Sequence, residues 1–166
     1  MLAAIALGSN LGDSQAILEG AMHALDRGES LRVVTVSRWY RTRAITLPHS
    51  PPQPDYLNGC ALLQTRYSPQ ELLAELLHVE SSFGRHRRQL WDARTLDLDL
   101  LFYEQVVLTS TTLTLPHPRM GDRAFVLLPL AEIVPQWVHP LRQKTIAELA
   151  IAPADLDQCQ PIPLPA

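Results

Sequence analysis

The chain is predicted to fold as an α+β sandwich with a mainly antiparallel sheet, and three observations carry that prediction. Segments with the two-residue alternation of strands are interleaved with segments of helical spacing in the order β-α-β-β-α-β. No internal repeat or linker divides the 166 residues, so a single domain, 1–166, is expected. That length buries about 70% of the unfolded surface, so folding requires neither disulfides nor a structural metal. The composition, 46% hydrophobic and 19% charged, is that of an ordinary globular protein.

Each element has its own signal. Leu2 to Leu7 reads as a buried strand, GSNLGD as a turn, and Asp13 or Ser14 as the N-cap of a helix running to about Asp26. Arg32 to Tyr40, RVVTVSRWY, alternates as a second strand. Thr42 to Pro54 carries four of the chain's 14 prolines, and an aperiodic loop of that length is usually functional or disordered. YLNGCALLQTRY gives a third strand. Ser68-Pro69-Gln70-Glu71 then opens a helix with proline in its first position and an acid in its first turn. Leu72, Leu73, Leu76, Leu77, Val79 and Phe83 keep helical spacing as far as Gly84, which is placed to end it. The basic loop RHRRQLWDA leads into the strand LDLDLLFY. A short strand near Gln105 to Leu108, a loop over LPHPRMGDR, an apolar AFVLLPLAEI segment and a short helix in KTIAELA follow. The last stretch, about 153–166, contains four prolines and is expected to be an irregular tail. This order is the split βαβ pattern of a ferredoxin-like sandwich with C-terminal additions.

Several function classes are excluded early. A net charge of −3 argues against non-specific nucleic-acid binding, so a basic cluster must be local and aimed at something small. Cys60 and Cys159 lie far apart with no CxxC or Cys/His grouping, which suits a reducing compartment and no zinc site. MLAAIAL lacks a basic n-region and is stopped by GSN too soon for a membrane span. A cytoplasmic location, with no membrane or nucleic-acid partner, is therefore expected.

The strand RTLDLDLLFY poses the central chemical question. Residues two apart share a face about 6.5–7 Å apart, so one face is leucine and the other carries Asp97 and Asp99. Two full charges at that spacing repel by roughly 2 kcal/mol at an effective dielectric of ~20. A hard cation between them would turn repulsion into a requirement, and Mg²⁺ binds one or two carboxylates together with water and phosphate. A solvated edge strand, or one paired with arginine, is the alternative. Arg85, Arg87 and Arg88, with His86 and Trp91, lie in the preceding loop, and Arg94 stands just before the strand. Guanidinium groups bind phosphate bidentately, so the region suits a polyphosphate–Mg²⁺ complex, although each arginine could equally be solvated.

GSNLGDS lacks the GK[ST] ending of a phosphate-binding loop and reads as a capped turn or a backbone contact to substrate. His117, pinned between prolines, could donate to a phosphate or be structural, and Arg119, Arg123 and Phe125 follow it. Tyr56 and Asn58 share one strand face, where a ring beside an amide suits a flat heterocycle, or simply strand packing. No Ser/His/Asp or Cys/His nucleophile system is present. A DxD-dependent glycosyltransferase would share the metal site, but the chain is short for a donor and an acceptor domain. A non-catalytic ferredoxin-like binding module would keep the fold alone.

Taken in order, LGSNLGD, SRWYRT, QPDYLNGC, FGRHR, RTLDLDLLFY and LPHPRM..RAFVLLPLAEI resemble the 6-hydroxymethyl-7,8-dihydropterin pyrophosphokinases of folate biosynthesis, to about Pro135. The resemblance implies a ferredoxin-like enzyme that moves the β,γ-pyrophosphoryl group of ATP to the pterin's hydroxymethyl oxygen, releasing AMP, with two Mg²⁺ ions and no protein nucleophile. It implies Asp97 and Asp99 as metal carboxylates, acting in catalysis with Arg85 and Arg94. It further implies ATP contacts from Glu80, Arg85, Trp91, Arg94, His117 and Arg123, and pterin contacts from Thr42, Tyr56, Asn58 and Phe125. By the same resemblance, Thr42 is expected to begin one loop that closes over the site and Trp91 to lie in a second. Leu77, Leu90 and Asp92 depart from the family's pattern. A monomer is expected.

Overall fold

A computed structural model of the chain describes residues 1–44, 46–84 and 95–163. In chain order, its elements begin with β1 (Leu2–Ser9), α1 (Ser14–Leu25), β2 (Leu31–Val36), β3 (Tyr40–Thr42) and β4 (Tyr56–Thr65). They continue with α2 (Pro69–Ser82), β5 (Asp97–Tyr103), β6 (Leu108–Thr109), β7 (Thr114–Leu115), α3 (Ala124–Ile133), α4 (Ile146–Leu149) and β8 (Cys159–Pro161). Among the described residues the main sheet has six strands in the order β5-β1-β4-β3-β8, with β2 also on β4. All its pairings are antiparallel. The fold is the ferredoxin-like α/β sandwich expected from the element order.

Helix boundaries follow from local chemistry. Asp13 caps α1 by accepting the Ala16 N–H at 3.1 Å. Ser68 and Glu71 form the reciprocal capping box of α2, with Pro69 at its start, which satisfies two of the helix's orphan donors. Both helices cover one face of the sheet. There Ile5, Leu7, Leu63, Leu98 and Leu100 pack with Leu18, Leu25, Leu72, Leu76 and Val79. On the opposite face Ala4, Cys60, Leu101 and Phe102 pack against Val126, Leu127 and Leu130 of α3 and against Ile146 and Leu149 of α4.

β5 explains how a leucine strand carries two carboxylates. Leu96, Leu98 and Leu100 enter the core beneath α1 and α2, so the two-residue period turns Asp97 and Asp99 to the other face. The register against β1 then shifts between Ala4, opposite Phe102, and Ile5, opposite Leu100. Leu101 is the extra residue of a bulge, which is why Leu101 and Phe102 both join the α3 side while Tyr103 returns to the first core.

The structure departs from the sequence reading in three places and gives an element to one segment, AFVLLPLAEI, that the pattern leaves open. The single strand expected from Arg32 to Tyr40 is two, both on the same edge of β4. At the break the Ser37 N–H donates to the Cys60 carbonyl, and Ser37 Oγ accepts the Cys60 N–H, each at 2.9 Å. Trp39 lies across Gly59, where a Cβ would come within 2.5 Å of the indole ring. The short strand expected near Gln105 begins at Leu108, beyond a turn in which Glu104 takes φ of 48°. AFVLLPLAEI is helix α3 despite Pro129 inside it. The expected irregular tail contains a 3-10 turn, Leu156–Gln158, and strand β8 on the edge of β3. Among the described residues no helix is long and apolar enough to cross a membrane.

Candidate active site

Backbone pairing draws the predicted site residues from distant parts of the sequence into one row. Gly8 of β1 stands opposite Asp97 of β5 on one side and Asn58 of β4 on the other, and Asn58 in turn stands opposite Tyr40. Ala6 likewise separates Asp99 from Cys60. Directly opposed residues share a face, so the two carboxylates and the Asn58 amide lie on the α3 side of the sheet, about 10 Å apart across β1. Gly8 keeps the space between them open: a Cβ there would meet Asn58 Oδ1 at 3.0 Å and Tyr56 Cδ1 at 3.7 Å.

On the Asn58 side the predicted heterocycle residues gather. Asn58 is buried, and its Nδ2 donates to Thr42 Oγ1 at 2.6 Å, which leaves Oδ1 facing Gly8 and Tyr56. Tyr56 is half-buried and pairs across the strands with Thr42. Phe125, in the first turn of α3, is half-buried and packs on the cluster of Tyr40, Ala124 and Cys159. An amide edge beside an aromatic side chain can take a planar, hydrogen-bonding ring.

On the carboxylate side, His117 is fixed by its backbone. Its N–H donates to the Leu101 carbonyl at 2.8 Å, and its Nδ1 accepts the Arg119 N–H at 3.2 Å. The proton of the neutral ring therefore belongs on Nε2. Burial holds the His117 pKa below its ordinary value, while Asp99 raises it, Arg123 and Arg119 lower it, and Asp97 raises it. Burial also lowers the Arg123 pKa, reinforced by Arg119 and opposed by Asp99, Asp97 and Asp155. His117 and Arg123 thus both sit in the field of the aspartate pair. The Arg123 guanidinium carbon lies 5.4 Å from the centre of the Phe125 ring, which joins the two halves of the site.

Glu80, assigned to ATP by resemblance, is buried, and its Oε1 accepts the Leu98 N–H at 2.7 Å. Its described contact is thus to the strand between the two aspartates. Arg85, Trp91 and Arg94, with Arg87, Arg88, Leu90 and Asp92, lie outside the described residues. Leu77 is exposed on α2.

Other residues shape the site without having been singled out. Gly8 had a signal, since a glycine inside a strand often marks a close approach. Asn10 is buried, and its Nδ2 donates to the Pro54 carbonyl at 3.1 Å and to Gln53 Oε1 at 3.3 Å, so GSN anchors the end of the proline-rich loop. Glu132 of α3 accepts from the Arg38 backbone at 2.9 Å, from Arg38 Nε at 3.0 Å and from the Tyr40 hydroxyl. Burial and this carboxylate push the Tyr40 pKa up to about 12.

Among the described residues no group of three or more His, Cys, Asp and Glu side chains could hold a metal. The donor set is instead two carboxylates beside the short side chain of Ala6 and the bare Gly8, which fits a hard cation that keeps water and phosphate as its remaining ligands.

The family model described as 7,8-dihydro-6-hydroxymethylpterin-pyrophosphokinase matches residues 4–135. The chain is 49% identical over 147 residues to a 2-amino-4-hydroxy-6-hydroxymethyldihydropteridine pyrophosphokinase of Synechocystis sp., a match covering 89% of this chain and 73% of that protein. It is 41% identical over 151 residues to the Haemophilus influenzae protein of the same name, covering 91% and 92%. A Plasmodium falciparum HPPK-DHPS crystal structure shares the fold with a TM-score of 0.65 at 16% identity, over 90% of this chain and 43% of that one. The order of motifs, the sheet that aligns them and the match over most of the length agree: the chain belongs to the 7,8-dihydro-6-hydroxymethylpterin-pyrophosphokinase family.

Proposed function

We infer that this protein transfers pyrophosphate from ATP to 6-hydroxymethyl-7,8-dihydropterin, giving AMP and the pterin diphosphate in folate biosynthesis. The observation that carries the reading is the row across β1, in which Gly8 separates Asp97 from Asn58. A phosphate-side carboxylate pair and a heterocycle-side amide then face the same open space.

On the pterin side, Asn58 Oδ1 would accept from a ring N–H or amino group, while Nδ2 stays committed to Thr42. Tyr56 and Phe125 would supply the aromatic faces. On the nucleotide side, Arg123 and His117 would meet phosphate oxygens, His117 donating from Nε2, and Arg85, Arg94, Trp91 and Glu80 complete the set implied by resemblance. Asp97 and Asp99 would hold the divalent metal, which we take to be two Mg²⁺ ions, and bound there these would neutralise phosphate charge. The hydroxymethyl oxygen attacks the β-phosphorus, and the bond from that phosphorus to the α,β-bridging oxygen breaks. AMP leaves with the bridging oxygen and the hydroxyl proton passes to solvent, so the protein's contribution is position and electrostatics. Cys60 offers no nucleophile, because burial pushes its thiol pKa far above the ordinary value. We take the protein to be a cytoplasmic monomer with no nucleic-acid or membrane partner, a reading supported by its net charge of −3 and two free cysteines.

Incubation with Mg²⁺, ATP and the pterin alcohol, with products resolved by chromatography, tests the reaction. AMP and pterin diphosphate are expected in equal amounts. ADP appearing in step with pterin consumption would overturn it.

A further inference from the structure

Helix α3 starts without a local cap. Its N-cap residue is Arg123, whose side chain makes no capping bond and, as a pure donor, cannot accept the first helical N–H groups. The acceptor comes from elsewhere: Asp155 Oδ1, 31 residues along the chain, takes the Ala124 N–H at 3.3 Å. The same carboxylate attracts Arg123.

Immediately after Asp155 the chain makes its 3-10 turn and enters β8, where Cys159 stands opposite Thr42 and Pro161 opposite Tyr40. The Ile162 N–H closes the run by donating to the Trp39 carbonyl at 2.8 Å. Leu156 and Cys159 pack in one cluster with Tyr40, Ala124, Phe125 and Leu128. One short segment therefore grips the first turn of α3 at one end and strand β3 at the other. Phe125 rides on the first and Thr42 on the second. The segment also lies outside residues 4–135, the part matched by the family model.

We propose that residues 155–162 are a strap that sets the width of the pterin pocket, and that Asp155 is a positioning residue acting through the α3 N-terminus on Phe125. The proposal rests on the reading that Phe125 and Thr42 face the pterin. Its expected signature is selectivity. Loss of the cap loosens the turn bearing Phe125, so pterin affinity falls more than nucleotide affinity, which is touched only through Arg123, the neighbour that Asp155 attracts.

The test uses the full chain with Asp155→Ala, Asp155→Asn and Phe125→Ala. Equilibrium dissociation constants are measured for 6-hydroxymethyl-7,8-dihydropterin in the presence of a non-hydrolysable ATP analogue, and for the analogue alone, below every variant's melting midpoint. Asp155→Ala should weaken pterin binding about tenfold, the scale of a lost helix cap, and analogue binding clearly less, through Arg123 alone. Asp155→Asn keeps an oxygen that accepts the Ala124 N–H and should restore most of the loss. Unchanged pterin affinity in Asp155→Ala, equal losses for both ligands, or an Asn variant as weak as the Ala variant would each overturn the proposal. Phe125→Ala separates the two levels: if it leaves pterin affinity intact, the pocket reading itself fails and the strap with it. If it weakens binding while Asp155→Ala does not, only the strap fails. Should Asp155→Ala be unfolded at the assay temperature, Asp155→Ser, with a shorter acceptor, takes its place: pterin binding weakened more than analogue binding supports the strap, and unchanged pterin affinity or equal losses overturn it.

Discussion

Glu80 Oε1 accepts the backbone N–H of Leu98 at 2.7 Å, and Leu98 is the residue between Asp97 and Asp99. A carboxylate on α2, 2% exposed, therefore grips β5 at the midpoint of the aspartate pair. The bond crosses from the helical layer to the sheet, so the orientation of the aspartates is tied to the packing of α2 against β5.

Replacing Glu80 separates that role from a ligand contact. Glu80→Ala leaves a buried N–H without its acceptor, which costs about 1–3 kcal/mol, and should raise the Mg²⁺ concentration needed for half-maximal activity. Glu80→Gln keeps an oxygen at the same place and should recover much of the stability. Urea unfolding combined with Mg²⁺ titration reads both. An Ala variant as stable as wild type would show that this bond does not hold β5.

The aspartate pair should behave oppositely. Asp97→Asn/Asp99→Asn preserves shape but removes the charges proposed to bind cations, so most turnover should be lost. The apo fold should be as stable as wild type or gain stability, since the like-charge repulsion is roughly 2 kcal/mol. If the aspartates were instead needed to neutralise buried arginine, the double variant would lose about 3–5 kcal/mol. Thermal melts of the apo proteins beside an AMP-release assay decide between the two. A variant that melts far lower yet keeps its specific activity while folded would end the metal assignment.

How much of this was readable beforehand depended on whether the signal was local. Asp97 and Asp99 were legible because strand alternation places them on one face regardless of neighbours. Ser68 and Asp13 were legible because caps are usually written within four residues. α3 was not, because AFVLLPLAEI is apolar on every side and contains Pro129, so no period separates buried helix from buried strand. Nor was β8: a three-residue strand in a proline-rich stretch exists only because the edge of β3 is there to pair with it. Asp155 and Glu80 act on backbone groups of other elements, and a sequence names no partner for such bonds.

The proposed pterin pocket should respond to loss of either aromatic face. Tyr56→Ala and Phe125→Ala are each expected to weaken pterin binding by about 1–3 kcal/mol, the worth of stacking a flat heterocycle on a ring. ATP affinity should change far less for Tyr56→Ala, whose ring adjoins Gly8 and Asn58. Phe125 also lies beneath the Arg123 guanidinium, so its variant should show a small nucleotide effect in addition. Calorimetric titration with each ligand measures this split, and equal losses for both ligands in the Tyr56 variant would point to general loosening of the sheet.

A last prediction concerns acid sensitivity at His139. His139 is buried, and its Nδ1 accepts the N–H groups of Leu141 and Arg142, both at 3.3 Å, a role open only to the neutral ring. Burial first, and the charge of Arg142 second, hold its pKa below the ordinary value. The turn it stabilises presents Arg142, whose guanidinium bonds Asp122 at 3.0 and 2.9 Å and the Gly121 carbonyl at 3.0 Å. Gly121 and Asp122 lie between His117 and Arg123. In the unfolded chain His139 titrates near 6.5, and in the folded chain lower. Its contribution is therefore fully present above about pH 6.5 and is lost as pH falls through that value toward the folded one, because the unfolded state binds the extra proton first. His117, also lowered, acts in the same sense, so a single substitution should reduce the acid loss without abolishing it. His139→Asn supplies a non-titrating oxygen for the same two N–H groups. Its melting midpoint should fall less than that of wild type between about pH 7.5 and 5, above the range in which carboxylates dominate. Parallel pH profiles for the two proteins would mean that folding leaves the His139 pKa where the unfolded chain has it, and that the turn carrying Arg142 owes nothing to its neutral ring.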